Sequence, residues 1–204
     1  MDKPLEDLKI ITCHLGNGAS VSAINGGKIV DTSMGFTPLE GLVMGTRTGD
    51  IDPAAVLFLM KQKGMSVEET DDYLNKQSGL LGVSGLSNDF RDIESAMDEG
   101  HERAQLAYDM FALRVKKYIG AYIAELNGFD AIAFTAGIGE NDDRIRASIC
   151  ENMENLGLAI DLDKNRGCRK QAEITAEGAK VRAFIVPTNE ELAIAQETLE
   201  ALGK

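Results

Sequence analysis

The chain has 204 residues, 44% of them hydrophobic and 26% charged, a balance that suits a folded domain able to bury its own core. Its formal net charge of −12 argues against nucleic acid or an anionic membrane as a partner, but not against a nucleotide. Phosphates are commonly held by backbone N–H groups and one or two arginines, whatever the global charge. The longest strongly apolar run, Ala54 to Met60, is too short to span a bilayer. The opening "MDKPLEDLKI" has no basic segment leading into an apolar one, so no secretory signal is expected. Three cysteines, Cys13, Cys150 and Cys168, make an odd number without metal-ligand spacing. They read as packing residues in a reducing, cytoplasmic setting.

In chain order, "KIITC" (9–13) and "ASVSAI" (19–24) read as strands, and the turn "NGG" (25–27) joins the second to "KIVDTS" (28–33). Asp52 and Pro53 supply a cap and a first-turn proline for the helix "AAVLFLMKQK". A long helix is predicted from Glu102 to Leu126. Its apolar stripe runs through Ala107, Phe111, Val115, Tyr118, Tyr122 and Leu126, and Gly128 ends it. That stripe serves either the core or a dimer surface. Next comes "DAIAFTAGIGEND", a strand followed by a glycine loop, and then the helix "DRIRASICENMENLG". Near the end "VRAFIVP" is a strand, and Thr188 with Glu191 forms a capping box for a last helix. Strands, then helices, then strand–helix alternation predict an α/β layered domain.

Four stretches set glycine-rich backbone beside a polar residue. In "HLGNG" (14–18), Gly16 and Gly18 permit positive φ and close approach, so successive N–H groups can face one anion, with His14 as a further donor. A plain turn fits the same spacing. In "MGFTPLEGLVMGTRTGDIDP", Arg47 lies among glycines and can fork onto phosphoryl or carboxylate oxygens, or else make a surface salt bridge. Asp50 and Asp52 suggest a carboxylate pair, but Asp52 is better explained as a helix cap. "TAGIGEN" (135–141) brings glycines and a helix start to the end of a strand, a general way of binding a nucleotide. In "PTNEE", Glu190 either complements a helix dipole or reaches a magnesium ion. "NDFRD" (88–92) can open a helix on Asn88 or Asp89.

The long segment "HLGNGASVSAINGGKIVDTSMGFTPLEGLVMGTRTGDIDP", with "FTAGIGEND" and "VPTNEE" in the same order, resembles the acetate kinase family from about Lys9 onward. Propionate kinase shares most of this pattern. The resemblance implies an actin-like ATPase (ribonuclease H-like) lobe, with a mixed sheet and flanking helices. It implies phosphoryl transfer between ATP and acetate, with magnesium (or manganese), in a homodimer. By matching position, His14, Leu15, Gly16, Asn17 and Gly18 look like the nucleotide phosphate loop. Asp89, Phe90 and Arg91, and Gly137, Ile138, Gly139, Glu140 and Asn141, look like further nucleotide contacts. Arg47 resembles the arginine that stabilises the transition state, and Glu190 the magnesium-associated glutamate. The family's N-terminal lobe carries an "NxGSSSxK"-like segment, an acetate-contacting arginine, a catalytic aspartate and a second histidine, none of which is found here. The whole chain is therefore expected to be a single C-terminal lobe, inactive alone. A stand-alone nucleotide-binding or dimerisation module, or an actin-like scaffold, are the other readings.

Overall fold

The computed structural model describes residues 1 and 3–203, the side chains of residues 190 and 193 excepted. A six-stranded mixed sheet forms its centre, from β1 (Lys9–Leu15), β2 (Ala19–Asn25), β3 (Lys28–Thr32), β4 (Ala131–Thr135), β5 (Ala172–Glu173) and β6 (Arg182–Ile185), in the order β3-β2-β1-β4-β6-β5. The first three strands form an antiparallel meander, as their tight turns require. Gly26 and Gly27 both take positive φ (57° and 76°), the mirror-image turn whose twist matches the strands it joins.

β4 then joins β1 in parallel, and β6 joins β4 in parallel. His14 stands opposite Thr135, and Phe134 opposite Ile185. The C-terminal ends of β1, β4 and β6 therefore lie side by side at one edge of the sheet. In open α/β sheets that edge is where ligands bind.

Helices α1 (Pro53–Lys63), α2 (Val67–Lys76), α3 (Gly79–Ser84) and α4 (Phe90–Asp98) lead to the 25-residue α5 (Glu102–Leu126). The predicted stripe of α5 is core: Ala107, Phe111 and Val115 are fully buried, and Tyr122 and Leu126 nearly so. Burial of this stripe rules out its use as a dimer surface. Tyr118 sits at its margin with its hydroxyl bonded to Asp50. α5 packs across β1 and β2, with α3 and α4 against it, and the Phe90 ring lies 5.1 Å from that of Phe111. Asn127, at φ 51°, caps α5 one residue before the expected Gly128. Asp52 caps α1 as expected, yet no residue of α1 is buried.

Three local expectations are corrected. The glycine segment after β4 is a helix, α6 (Ala136–Asn141), entered through Ala136 at φ 64°. The helix after it, α7 (Asp143–Cys150), stops at Cys150, where Asn152 turns at φ 58°. After the short α8 (Leu162–Asn165), the last helix, α9 (Glu190–Ala201), is capped by Asn189, whose Oδ1 accepts from Leu192 N at 3.0 Å. Thr188 is not the cap because Glu140 takes both its N–H and its hydroxyl. No described helix is long and apolar enough to cross a membrane.

Phe111 joins α4, α5 and the sheet without solvent contact. Its replacement by Ala is expected to cost about 3–5 kcal/mol, read as a lower midpoint in urea unfolding.

Candidate functional site

β1 and β2 are hydrogen-bonded up to Leu15 and Ala19, so Gly16, Asn17 and Gly18 alone form the loop between them. Gly16 N donates to Gly18 O at 3.1 Å. Neither glycine adopts positive φ, contrary to the expectation from sequence. Gly16 serves by being small, since a Cβ there would stand 3.2 Å from Gly18 O, whereas a Cβ on Gly18 would make only an ordinary contact, 3.7 Å from Arg47 Nη1.

This loop forms one wall of a cleft of about 590 Å³. Asn88 to Arg91, at the start of α4, form a second wall, and Gly137, Ile138 and Asn141 of α6 a third. The loop and the α4 wall are joined by Asn88 Nδ2, which donates to Asn17 Oδ1 at 3.2 Å. Of the residues expected at the site, Gly16, Asn17, Asp89, Phe90, Arg91, Gly137, Ile138 and Asn141 line this cleft. Asp89 caps α4 and also chelates Arg91, with Nη2 to Oδ2 at 2.6 Å. The Arg91 hydrogen bonds hold the Asp89 carboxyl down at about 2.

The others have structural tasks or lie outside the cleft wall. Leu15 is fully buried, and the Phe90 ring belongs to the core beside Tyr108 and Phe111. Gly139 packs against the sheet, where a Cβ would make ordinary contacts with the Phe134 and Cys13 backbone at 3.4–3.5 Å. Glu140 Oε1 accepts from Thr188 N at 2.9 Å and so ties α6 to the segment that leads into α9. His14 closes β1 beside the loop, between Ser20 and Thr135. Glu190 opens α9, with its side chain outside the described residues.

Arg47 is not among the residues lining the cleft, and its guanidinium lies beside Gly18. Instead of the salt bridge its surroundings allow, it makes no ion pair among the described residues. Nη1 reaches only Pro38 O at 3.4 Å and Met44 Sδ at 3.6 Å. The loop that carries it is held elsewhere. Gly41 N donates to Asp50 Oδ1 and Asp50 N to Gly41 O, closing the neck of residues 41–50. The Asp50 carboxylate then receives Arg114 and Tyr118 from α5. Gly45 N donates to Asn17 O at 3.1 Å and places this loop directly on the first one. Gly49 needs its φ of 66°, because a Cβ there would collide with the Leu42 carbonyl.

Four further residues shape the site in ways the sequence did not signal. Asp50 looked like half of an acidic pair and is an anchor. Arg146, fully buried, donates to Gly139 O at 2.9 Å, Asn165 Oδ1 at 2.8 Å and Cys168 O at 3.0 Å, so that α6 is fixed to the segment bearing Arg169 on the cleft wall. Glu94 and Asp142 also line the cleft. Burial and then the nearby Asp142 push the Glu94 carboxyl up to about 7, and burial raises Asp142 as well. A helix one turn downstream of Arg91 and a cap residue both read as ordinary surface positions in sequence.

A sequence profile described as "Acetokinase family" matches residues 1–196. The chain belongs to the acetokinase family. An acetate kinase of Heliobacterium modesticaldum is 60% identical over 99% of this chain and 51% of its own length. The crystal structure of Porphyromonas gingivalis acetate kinase matches with TM-score 0.93 and 47% identity, over 97% of this chain and 50% of that one. A propionate kinase from Francisella tularensis matches with TM-score 0.88 and 44% identity, over 94% of this chain and 49% of that one. The chain thus spans about half the length of the relatives it matches. Its fold is the actin-like type expected from the resemblance.

Replacing Asp50 by Ala is expected to lower stability by about 2 kcal/mol, since a hydrogen-bonded charge is lost and Arg114 is left unpaired. Freed from its neck, the loop should be cut by trypsin after Arg47 much faster than in the native chain.

Proposed function

We propose that this chain is the nucleotide-binding, C-terminal lobe of an acetate kinase-type phosphotransferase, which moves phosphate between ATP and acetate to give ADP and acetyl phosphate. The observation that carries the reading is the convergence of the Gly16–Asn17 loop, the start of α4 and α6 on one cleft, with Arg47 beside Gly18 of the same loop. Phosphoryl transfer asks a protein mainly for positioning and for stabilisation of developing charge. Backbone N–H groups of Asn17 and Gly18 face the phosphates, the Gly16 N–H being spent on Gly18 O, and Asp89, Arg91 and residues 137–141 hold the nucleoside. Arg47 is free of competing carboxylates among the described residues, so its fork can turn to a phosphoryl group.

Magnesium takes oxygen ligands, largely from phosphates and water, with one or two protein carboxylates. Glu190 at the head of α9 offers one such carboxylate, and no cluster of three or more metal-ligating side chains occurs among the described residues. A bound magnesium would supply neutralisation of the phosphate charge, with Glu190 as the residue that would help hold it. The chain's own part is to hold the nucleotide in register with Arg47.

The acyl pocket belongs to the other lobe, so propionate in place of acetate stays compatible with everything described. Half a cleft cannot exclude water from a reacting phosphoryl group or align an acceptor with it. This lobe alone is accordingly inactive. Exposed Leu57 and Phe58 on α1 and Ile194 and Leu202 on or beside α9 support apolar surfaces for the other lobe or for a second copy in a cytoplasmic homodimer.

Calorimetric titration with ADP and magnesium tests the reading. A Cβ at Gly137 meets no protein atom within 4 Å, so Gly137→Val projects into the cleft without disturbing the fold. Saturable binding by the native chain is expected, weakened at least roughly tenfold in the variant by steric exclusion. No binding by a folded chain, or equal binding by both, overturns it. Acetyl phosphate formed by this chain alone, and lost in Arg47→Ala, overturns the inactivity of the lone lobe.

A further inference from the structure

Glu94 stands on α4, and Asp142 joins α6 to α7, so their carboxyls reach the cleft from two different walls. They lie within hydrogen-bonding reach of one another. Asp142 Oδ1 is occupied as the cap of α7, accepting from Ile145 N at 3.0 Å. Its other oxygen, Oδ2, and Glu94 Oε1 are both buried and find no hydrogen-bond partner among the described residues. Two acceptors brought together out of water repel when both are ionised. One proton between them satisfies both atoms and removes the repulsion.

One nearby charge partly offsets the pair, since Arg144 forms a loose ion pair with Glu94 and pulls its carboxyl down. Arg144 on α7 brings Nε only to 3.6 Å from Glu94 Oε1, beyond hydrogen-bonding distance, and gives its two terminal nitrogens to Asp98 of α4 at 2.8 and 2.9 Å. Tyr108 of α5 shares its hydroxyl with Ser148 of α7 at 3.2 Å. Next to Asp142, Asp143 adds negative charge, while Arg146 spends its donors on Gly139, Asn165 and Cys168. Asp89, Arg91 and Arg169 face the same cleft, the first two chelating one another.

We propose that Glu94 and Asp142 hold one proton between them and act as positioning residues of the nucleotide site. The protonated pair joins the α4 wall to the α6–α7 wall, and loss of its proton separates the walls, adds a charge to the cleft and weakens the binding of an anionic nucleotide. This rests on the nucleotide-site reading above. Its consequence is an affinity that falls as pH rises through neutrality, beyond any change due to the nucleotide's own phosphates.

Glu94→Gln supplies the test, because its amide donates to Asp142 Oδ2 at every pH. ADP affinity is measured by calorimetry for both proteins between pH 6 and 8. Ionisation of the ADP phosphates is common to the two and cancels in the ratio of their Kd values. The native-to-variant ratio is expected to rise roughly fivefold over that range, and a constant ratio overturns the proposal.

Thermal unfolding gives a readout that needs no nucleotide. A carboxyl raised in the folded state contributes stability that is complete below its ordinary value of 4.5 and is lost as pH rises to about 7. Glu94→Gln lacks that loss, so its Tm should gain on the native chain between pH 5 and 7.5. Parallel Tm curves overturn the pair even if ADP binds. A widening gap with no ADP binding upholds the shared proton and overturns the nucleotide reading and the link to affinity. Should the variant fail to fold, carboxyl ¹³C shifts of Glu94 in the native chain decide. Titration near neutrality upholds the pair, and a midpoint in the ordinary carboxylate range overturns it.

Discussion

The parallel pairing of β1, β4 and β6 is the constraint on which the rest of the molecule depends. These strands begin at positions 9, 131 and 182, so nothing local brings them together. Once they align, with His14 beside Thr135 and Phe134 beside Ile185, their exits share one edge. The glycine loop at 16–18, the α6 segment and the approach to α9 become neighbours. Glu140 binding Thr188 then locks the second exit to the third. A slip of one residue in this register would turn Ile132 and Phe134 out of the core, so hydrophobic burial itself holds the site in place.

The second requirement is to hold irregular backbone still. The 41–50 loop has no ladder of its own, and its groups are satisfied instead by Asp50, by the first loop and by the segment around α3. Arg146 does the same for the opposite wall, with a buried guanidinium that faces carbonyl dipoles. Both devices set a charged group back from the cleft and fix neutral backbone beside it. Preorganised backbone of this kind costs little to rearrange when charge arrives.

Electrostatics near the cleft differ from the global charge. The chain carries −12, whereas the cleft is nearly balanced, with Arg91, Arg144 and Arg169 facing Asp89, Glu94, Asp142 and Asp143, and Arg47 beside Gly18. Arg91 and Arg144 are committed to Asp89 and Asp98, whereas Arg47 and Arg169 make no ion pair among the described residues. Local attraction for an anion therefore rests on few groups, and the charge state of Glu94 and Asp142 weighs heavily against them. Exposed pairs elsewhere, such as Lys76 with Asp72, are screened and matter little to this balance.

The sequence by itself determined the elements whose cause is local: the Asn25–Gly27 hairpin turn, the Asp52–Pro53 helix start, the stripe of α5 and the α/β class. Its glycine-rich motifs also pointed to most of the cleft, through their resemblance to acetate kinase. It could not say that Gly16 serves by being small and not by positive φ, because that depends on where Gly18 O lies. Nor could it show that Thr188 loses its capping role to Glu140, 48 residues away. Only the tertiary structure decided the tasks of Asp50, Arg146 and the Glu94–Asp142 pair. Their partners include Tyr118 for Asp50, Asn165 for Arg146 and Asp142 for Glu94, all remote in the chain, and burial and charge act through space, which spacing along a sequence does not record.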